Sequence, residues 1–401
     1  MDKVLNPFSP GAGTPPPELA GRQHILEKAQ IMFQRLKAGR SEKSFLLVGL
    51  RGVGKTVLLN EISYLSEKSG YKSILIEAHE RKPLSALLLP HLRQLLFQLD
   101  RVENVSKKVK RGFSVLKSFM NGIRMKVLDI EFSLDIDPEI GTADSGDIES
   151  DLPALLDAIA EAAQDRNTAV AIIIDELQYL SEAEMSALIM AIHRIAQKRL
   201  PLALVGAGLP QLVGLTGRSK SYAERLFDFP RIGPLNEIDA VAALRGPAEE
   251  QNVQITDAAI KEIMFQTRGY PYYLQEWGYQ AWNLAEESPI DLPTIKLATK
   301  NSILRLDESF FRVRFDRLTP REKEYLYSLA VLGDGVQRSG DIADILKVSP
   351  QSIAPVRNSL IKKGMIYSPA YGDTDFTVPL FGAFLKRVMP NKTPVQVCEE
   401  A

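Results

Sequence analysis

Cysteine is almost absent from this sequence, since Cys398 is the only one among 401 residues. A single thiol excludes a disulfide within the chain and any metal site built from several cysteines. The N-terminal stretch MDKVLNPFSPGAGTPPPELAGR has no apolar core of the kind that directs secretion, and its many Pro and Gly residues predict an extended lead-in. These absences predict a cytoplasmic protein.

An excess of one charge and long apolar runs are also missing. The formal net charge is −1, so any nucleic-acid surface must be a local patch. The longest purely apolar stretches, such as residues 169–174, are far too short to span a bilayer, and no membrane partner is expected. The length and the 45% hydrophobic content are those of a globular protein of two or three domains.

Short apolar runs do recur in the first half of the chain. Residues 44–50, 73–76, 170–174 and 202–205 each read as a strand buried on both faces, and helical patterns lie between them, for example at 56–67 and 85–99. Strands that alternate with helices predict a parallel sheet covered on both faces. The expected fold class is therefore α/β.

The first of these strands runs into the stretch VGLRGVGKTVLL, in which Gly49, Gly54, Lys55 and Thr56 satisfy the pattern G-x-x-x-x-G-K-[ST]. A loop that wraps a phosphate with its backbone amides needs glycine at its tight positions. Lys55 is then expected to reach the outer phosphates of ATP and the Thr56 hydroxyl to coordinate Mg²⁺. The nucleotide-binding residues predicted in this loop are Gly49, Gly52, Val53, Gly54, Lys55, Thr56 and Val57.

A carboxylate must complete the magnesium shell, and AVAIIIDELQYL supplies one at the end of a buried strand. We assign Asp175 to the metal, usually through water. Glu176 should point the other way and polarise an attacking water. An acidic pair at a strand end is common in isolation. The phosphate loop predicted on the same sheet favours a role for this pair at the nucleotide site.

Residues 101–151 do not follow the strand–helix rhythm. Seven basic and no acidic residues fall in 106–128, and nine acidic and no basic residues fall in 129–151. Within the second block, residues 129–136 alternate polar and apolar with the period of a half-exposed strand. We expect an inserted hairpin whose opposite charges face water and each other; a contact surface for protein or nucleic acid is the alternative.

The C-terminal part has a different pattern. Thr319 and Pro320 are an N-cap and a first helical residue, and RSGDIADILKVSPQSIAPVRNSLIKKGMIY then gives helix, tight turn, helix and a glycine stop. The following MIYSPAYGDTDFTV predicts two strands around a turn, which together make a winged helix. Pro355 is awkward inside the second helix unless it lies near the first turn.

Two uses of such a module remain open from the sequence. If it binds DNA, the expected groove-facing residues are Gln351, Ser352, Arg357 and Asn358, with Lys362 and Lys363 near phosphate. Winged helices also serve as protein-contact modules, and acidic residues at 373 and 375 would repel phosphate.

These motifs, in the order GR box (20–22), phosphate loop, DE pair, LVGAGLPQL and a helical region, resemble the AAA+ class of P-loop ATPases. More narrowly, phrases such as PELAGR, DELQYLS, SYAERLFDFP and GYPYYLQEWG resemble bacterial AAA-family proteins whose ATPase domain is like that of the origin-recognition complex. The resemblance covers nearly the whole chain. It implies the fold and ATP strongly, and no cellular role.

The resemblance also suggests roles for single residues. It places the nucleotide base near Gly21 and Arg22 and gives Pro271, in G-Y-P, a part in sensing nucleotide. The usual second-sensor arginine is not evident, although Arg268 is adjacent to this element. Residues 206–208 offer no polar sensor, which implies slow hydrolysis unless Gln211 substitutes. Arg225 is the candidate for an arginine finger reaching a neighbouring subunit, with Arg218 as its competitor and an ordinary surface arginine as the alternative.

The expected organisation is an extended segment (1–19), an ATPase core (20–235), a helical lid (236–318), a winged helix (319–390) and a tail (391–401). We expect a Mg²⁺-dependent ATPase that acts as a nucleotide-controlled switch coupled to double-stranded DNA, with Glu176, Lys55 and Arg225 as catalytic candidates. One alternative is a scaffold that scarcely hydrolyses ATP and contacts a protein partner. Another is a homo-oligomeric remodelling ATPase.

Overall fold

The structure is a computed structural model that describes residues 1–390 except 12, 17, 18, 101–105 and 123–135. Its first half alternates strands and helices. In chain order these are α1 (Gln23–Lys37), β1 (Ser44–Val48), α2 (Lys55–Lys68), β2 (Tyr71–Glu77), α3 (Leu84–Asp100), α4 (Lys107–Gly122), α5 (Ile148–Asp165), β3 (Ala169–Asp175), α6 (Glu182–Lys198), β4 (Leu202–Gly208), α7 (Gln211–Ser219), α8 (Ala223–Leu226) and β5 (Phe227–Asp228).

The five strands form one parallel sheet in the order β2-β3-β4-β1-β5, as the strand–helix rhythm predicts. Alternate residues of each strand face opposite helical layers. Phe45 and Ile173 pack on the side of α1 and α2, whereas Leu46 and Ile172 pack on the side of α3, α5 and α6. Because both faces are covered, the strands can be apolar throughout, and β1, β3 and β4 are buried at every position.

The inserted hairpin expected within 101–151 is absent from the described part of that segment. Residues 107–122 form α4 instead, a helix that packs on α3 and α5 through Val109, Phe113 and Leu116. Some of the opposite charges do meet, because Arg111 pairs with Glu139 at 3.0 Å. The alternating stretch 129–136 lies outside the described residues except for its last position.

After β5 the chain is helical. The helices are α9 (Glu237–Glu250), α10 (Asp257–Thr267), α11 (Pro271–Leu284) and α12 (Leu292–Arg305), followed by a π-helical segment (Leu306–Phe311) and α13 (Arg312–Phe315). We call residues 236–315 the lid. Within the described residues, the chain has no helix that is both long and apolar enough to cross a membrane.

The C-terminal unit (residues 319–389) consists of α14 (Pro320–Leu332), β6 (Gln337–Arg338), α15 (Ser339–Leu346), α16 (Pro350–Lys362), β7 (Ile366–Tyr367), β8 (Asp373–Phe376) and α17 (Phe381–Val388). Its three strands form an antiparallel sheet in the order β6-β8-β7. Thr319 caps α14 in a capping box with Glu322, as its sequence predicts. Pro355 lies inside α16, which continues through it.

The lid and the C-terminal unit share one hydrophobic core, which the sequence does not predict. Phe311 of the π-helical segment packs against Phe381 and Phe384 of α17, with ring centroids 5.8 and 5.3 Å apart. The Tyr273 hydroxyl of α11 donates to the Pro379 carbonyl at 2.5 Å. The two parts therefore pack as one body beside the domain built on the five-stranded sheet.

Candidate nucleotide site

The phosphate loop, residues 49–54, lies at the carboxyl end of β1 and runs into α2. Gly52 and Gly54 have φ values of 80° and 89°, in the left-handed region where a side chain would strain the backbone. A Cβ atom on Gly49 would lie 2.2 Å from the Ile232 carbonyl oxygen. Three of the glycines are thus required by backbone geometry, as the motif implies.

Lys55 is the first residue of α2 and is 7% exposed. Its ammonium group donates to the carbonyl oxygens of Gly49 and Leu50 at 2.9 and 2.8 Å. Burial lowers the pKa of Lys55 to about 8, although the nearby carboxylates of Glu176 and Asp175 oppose that shift. Carbonyl groups of the phosphate loop therefore surround a buried amino group.

Thr56 and Asp175, the two predicted metal ligands, are in contact. The Thr56 hydroxyl donates to a carboxylate oxygen of Asp175 at 2.6 Å. Burial raises the pKa of Asp175, and the hydrogen bond from Thr56 opposes this. Hydroxyl and carboxylate oxygens suit Mg²⁺, which commonly binds one or two protein groups together with substrate phosphates. Among the residues that the structure describes, no cluster of three or more His, Cys, Asp and Glu side chains could hold a metal alone.

Glu176 follows Asp175 with φ 54° and ψ 36°, a left-handed conformation that is costly for a residue with a side chain. The turn sends its carboxylate into the cavity beside the phosphate loop. One carboxylate oxygen lies 3.5 Å from a guanidinium nitrogen of Arg51, and the other accepts a hydrogen bond from the Gln178 amide. The catalytic candidate is thus in place and is held by two neighbours.

Gln178 explains why β4 ends without a polar side chain. A Cβ atom on Gly208 would lie 2.8 Å from the Gln178 amide oxygen, which accepts from the Leu209 backbone amide at 2.9 Å. Gln178 therefore connects the ends of β3 and β4, at the position where the resemblance leads one to expect a sensor. Gln211, the substitute suggested by the sequence, does not line the cavity and begins α7.

A cavity of about 250 Å³ extends from the phosphate loop to the lid. Of the predicted nucleotide-binding residues, those that line it are Arg22, Gly52, Val53, Gly54, Lys55, Thr56, Val57 and Pro271, and Glu176 lines it as well. Arg22 donates to the Gly233 carbonyl at 2.5 Å, and burial lowers its pKa. The phosphate loop, Pro271 of the lid and the general-base candidate Glu176 therefore line one cavity.

The N-terminal segment covers part of this cavity. We call residues 1–16 the strap, of which residue 12 is not described. Phe8 is buried against α11, where a Cβ atom on Gly278 would lie 2.6 Å from its ring, and the Ser9 amide donates to Gln275 at 3.0 Å. Beyond these anchors, residues 9–11, 13, 14 and 16 line the cavity. The extended lead-in expected from the sequence is a docked part of the site.

Arg314 of α13 also lines the cavity, and sequence reasoning missed it. Its guanidinium group donates to the Phe310 carbonyl at 2.5 Å and stacks over the Phe310 ring at 4.0 Å. Burial lowers its pKa, and the positive charge of Arg51 adds to that effect. In contrast, Arg268 is more than half exposed and pairs with Asp334 of the C-terminal unit at 2.7 Å. The spacing of Phe310 and Arg314, one helical turn, was the available signal.

The two finger candidates lie away from the cavity. Arg225 is exposed and precedes β5, which pairs with the first residues of β1. Arg225 therefore lies near the amino-terminal end of β1, whereas the phosphate loop of its own chain follows the carboxyl end of that strand. Arg218 pairs with Glu182 at 2.8 Å on the surface.

The predicted DNA-facing residues of α16 fall into two groups. Gln351, Ser352, Asn358 and Lys362 are exposed. Arg357 is not free for a base, because it donates to the Ser368 hydroxyl at 2.6 Å, the Asp373 carbonyl at 2.8 Å and the Thr374 hydroxyl at 3.0 Å.

Lys363 is likewise occupied within the C-terminal unit, where it pairs with Glu322 at 2.7 Å. The amphipathic pattern of α16 suggested that both cations face outward. Their partners come from β8, from the loop after β7 and from α14, which a helical pattern alone does not reveal.

This sheet order, phosphate loop and Thr56–Asp175 pair are features of the P-loop fold. Residues 18–205 match the family described as AAA ATPase domain, and residues 308–385 match one described as a domain of unknown function.

Individual proteins resemble the chain more distantly. An uncharacterized HTH-type transcriptional regulator of Methanocaldococcus jannaschii, MJ0774, is 22% identical over 347 residues, which cover 82% of this chain and 78% of that protein. The Walker-type ATPase PABY2304 of Pyrococcus abyssi has a TM-score of 0.56 at 18% identity, with 93% of this chain and 97% of that chain covered. The latter likeness extends the shared fold over nearly the whole molecule.

Proposed function

We propose that this protein is a Mg²⁺-dependent ATPase that works as a nucleotide-controlled switch, with a C-terminal winged helix that binds double-stranded DNA. The observation that carries the proposal is the Thr56–Asp175 hydrogen bond of 2.6 Å, which joins the phosphate loop to the carboxylate that would share its metal. Mg²⁺, when bound, would neutralise phosphate charge and orient the phosphates.

The side chains around the cavity divide the work of hydrolysis. Lys55 and Arg314 place positive charge along the phosphates, where catalysis of phosphoryl transfer depends mainly on positioning and electrostatics. A carboxylate oxygen of Glu176 accepts the proton of the water that attacks the terminal phosphorus. The strap and the lid cover the cavity and limit the entry of other water.

In this proposal Arg314 couples the bound nucleotide to the position of the C-terminal unit. It belongs to α13, the last helix of the lid, which leads directly into the C-terminal unit. A phosphate that attracts Arg314 would hold that junction towards the phosphate loop. Loss of the terminal phosphate would remove the attraction, so the lid and the C-terminal unit would relax together.

Two observations support the DNA-binding part. The helices α14, α15 and α16 with the sheet β6-β8-β7 have the order of a winged helix, and MJ0774 carries the name of an HTH-type transcriptional regulator. In this proposal Gln351, Ser352 and Asn358 face the groove and Lys362 lies near phosphate, whereas Arg357 and Lys363 stabilise the module.

The alternative is a slowly hydrolysing nucleotide-binding scaffold that contacts protein. Both oxygens of Glu176 are engaged by neighbouring side chains, and the strand β8 begins with the acidic Asp373. A homo-oligomeric remodelling ATPase is a third possibility, favoured by the exposure of Arg225 on the sheet edge away from its own phosphate loop. A cytoplasmic location stays a prediction.

Steady-state ATP hydrolysis and equilibrium ATP binding test the enzymatic part. Glu176→Gln should lower turnover by about 100-fold or more while ATP affinity stays near wild type, because it removes only the base. Lys55→Ala should abolish ATP binding. Glu67→Gln, an exposed carboxylate on α2, is the matched control. Wild-type turnover in Glu176→Gln would refute the assignment of the base.

The DNA part is tested by duplex binding across a range of salt concentrations. Lys362→Ala should weaken binding to all sequences and reduce the salt slope by about one, as expected for one phosphate contact. Lys386→Ala, an exposed lysine on α17, serves as control. If the wild-type protein binds no duplex at low salt, the protein-contact alternative is favoured.

A further inference from the structure

The C-terminal unit rests directly on the phosphate loop. The backbone amide of Arg51, in the middle of the loop, donates to the carbonyl oxygen of Thr377 at 3.0 Å. The turn that ends α16 covers the same residue, because a Cβ atom on Gly364 would lie 2.9 Å from a guanidinium nitrogen of Arg51. The same atom would lie 3.4 Å from the Leu209 side chain at the end of β4.

Beneath that turn, the Arg51 side chain bridges two groups that follow β3. One guanidinium nitrogen lies 3.5 Å from a carboxylate oxygen of Glu176, and the other donates to the Tyr179 hydroxyl at 3.1 Å. The side chains of Arg51 and Glu176 are only 22% and 17% exposed. Water screens such a pair less than it screens a surface pair, so the attraction restrains the carboxylate.

These contacts hinder Glu176 from acting as a general base. The second oxygen of Glu176 accepts from Gln178, so each oxygen already has a neighbour that competes with water. A carboxylate accepts a proton from water efficiently only when one oxygen is free to meet that water in line with the phosphate. Releasing Arg51 would free the oxygen on the side of the phosphate loop.

The C-terminal unit can control Arg51 because of how it is attached. It shares its core with the lid, and among the described residues its contacts with the phosphate loop include the Thr377 bond and the packing of the Gly364 turn. A ligand that draws the end of α16 away would therefore move the cover of Arg51 without unfolding either part.

We propose that Arg51 is a positioning residue that withholds Glu176 from the attacking water while the C-terminal unit rests on the phosphate loop. Duplex DNA bound along α16 lifts the Gly364 turn, frees the Arg51 guanidinium group and raises the rate of hydrolysis. This inference rests on the proposed function, because it assumes that Glu176 is the base.

The decisive variants alter the contact and leave the fold intact. Deleting the C-terminal unit is unsuitable, since it would expose the core shared with the lid. Arg51→Gln should raise kcat several-fold with the ATP dissociation constant within about twofold of wild type, and duplex DNA should stimulate it little further. Tyr179→Phe, which removes one anchor of Arg51, should show a smaller rise.

Three further variants complete the design. Arg51→Lys keeps the charge next to Glu176 and should stay near the wild-type rate. Arg321→Gln and Tyr371→Phe, both exposed in the C-terminal unit, are the matched controls and should hydrolyse and bind ATP as wild type does.

The outcomes separate this inference from the proposed function. If Arg51→Gln binds ATP but turns over at or below the wild-type rate, while Glu176→Gln is inactive, Arg51 is a ligand or a structural residue and the inference is overturned. If Glu176→Gln keeps its turnover in the Arg51→Gln background, the base is misassigned and both ideas fall. A rise in kcat that depends on Glu176 supports both.

Discussion

At the scale of single residues, Lys55 is the cation whose charge depends most visibly on its surroundings. With a pKa lowered to about 8 by burial, it is half neutral at that pH, although phosphate binding favours the charged form. ATP binding above pH 8 should therefore take up a proton. The affinity should fall as the pH rises from 7.5 to 9.5, by up to about tenfold per unit beyond the pKa.

Calorimetry in two buffers with different ionisation enthalpies measures this proton uptake directly at pH 8.5. Lys55→Arg is the control, because arginine stays protonated throughout this range and its uptake should vanish. Equal heats in both buffers for the wild-type protein would mean that Lys55 is already fully charged before ATP arrives.

At the residue level, the sequence is most informative where one motif carries the geometry. Gly52 and Gly54 have left-handed backbone conformations, Gly49 approaches the Ile232 carbonyl closely, and the run of apolar residues before Asp175 fixes where that carboxylate emerges. Gln178 was missed because it bonds to Leu209 at the end of another strand, and Arg314 was missed because the sequence does not reveal that α13 reaches the cavity. No spacing within the sequence reveals that Gln178 fills the space beside Gly208.

At the scale of elements, the strap tests whether the N-terminal segment belongs to the site. Phe8→Ala should remove its main anchor on α11, at a cost of about 3–5 kcal/mol of local stability for a fully buried phenylalanine. The ATP dissociation constant should rise several-fold because residues 9–11, 13, 14 and 16 would no longer cover the cavity. Hydrogen exchange of the strap amides and an ATP titration measure both effects.

Leu5→Ala is the matched control for the strap, since Leu5 lies on the same segment and is 54% exposed. It should leave both exchange and affinity unchanged. Faster exchange in Phe8→Ala with unaltered ATP affinity would show that the strap is anchored as described but contributes nothing to nucleotide binding.

The segment 101–151 shows how an element can be misassigned. Its block of positive charge drew attention to the surface, whereas Val109, Phe113 and Leu116 recur at the four- and three-residue spacing of a helical face. That face is buried against α3 and α5, whereas Lys107, Lys108 and Lys110 are exposed. Hydrophobic spacing was the better guide to α4.

At the scale of the whole molecule, the shared core implies that the lid and the C-terminal unit lose stability together. Phe311→Ala should destabilise both by about 3–5 kcal/mol, because the ring packs against Phe384 of the C-terminal unit and belongs to the lid segment. Hydrogen exchange should accelerate in α11 and α17 alike, with β3 unaffected.

Phe113→Ala provides the converse, since that ring is buried in the ATPase core between α3 and α5. It should accelerate exchange in those helices and leave α17 unchanged. Acceleration confined to α11 in Phe311→Ala would show that the two parts behave as separate domains. The sequence suggested such a division, because the pattern of predicted elements changes near residue 319 and a sequence pattern does not reveal packing across that point.

The sheet order has a consequence for synthesis of the chain on the ribosome. The strand that carries the phosphate loop is made early, yet Phe45 pairs with Val205, and Gly49 closes against the carbonyl of Ile232. At roughly 5–20 residues per second, β1 must wait on the order of ten seconds or longer for its neighbours, with apolar surface and unpaired edges exposed. The nascent chain therefore completes its nucleotide pocket late, and protection from aggregation during that interval falls to helices and chaperones.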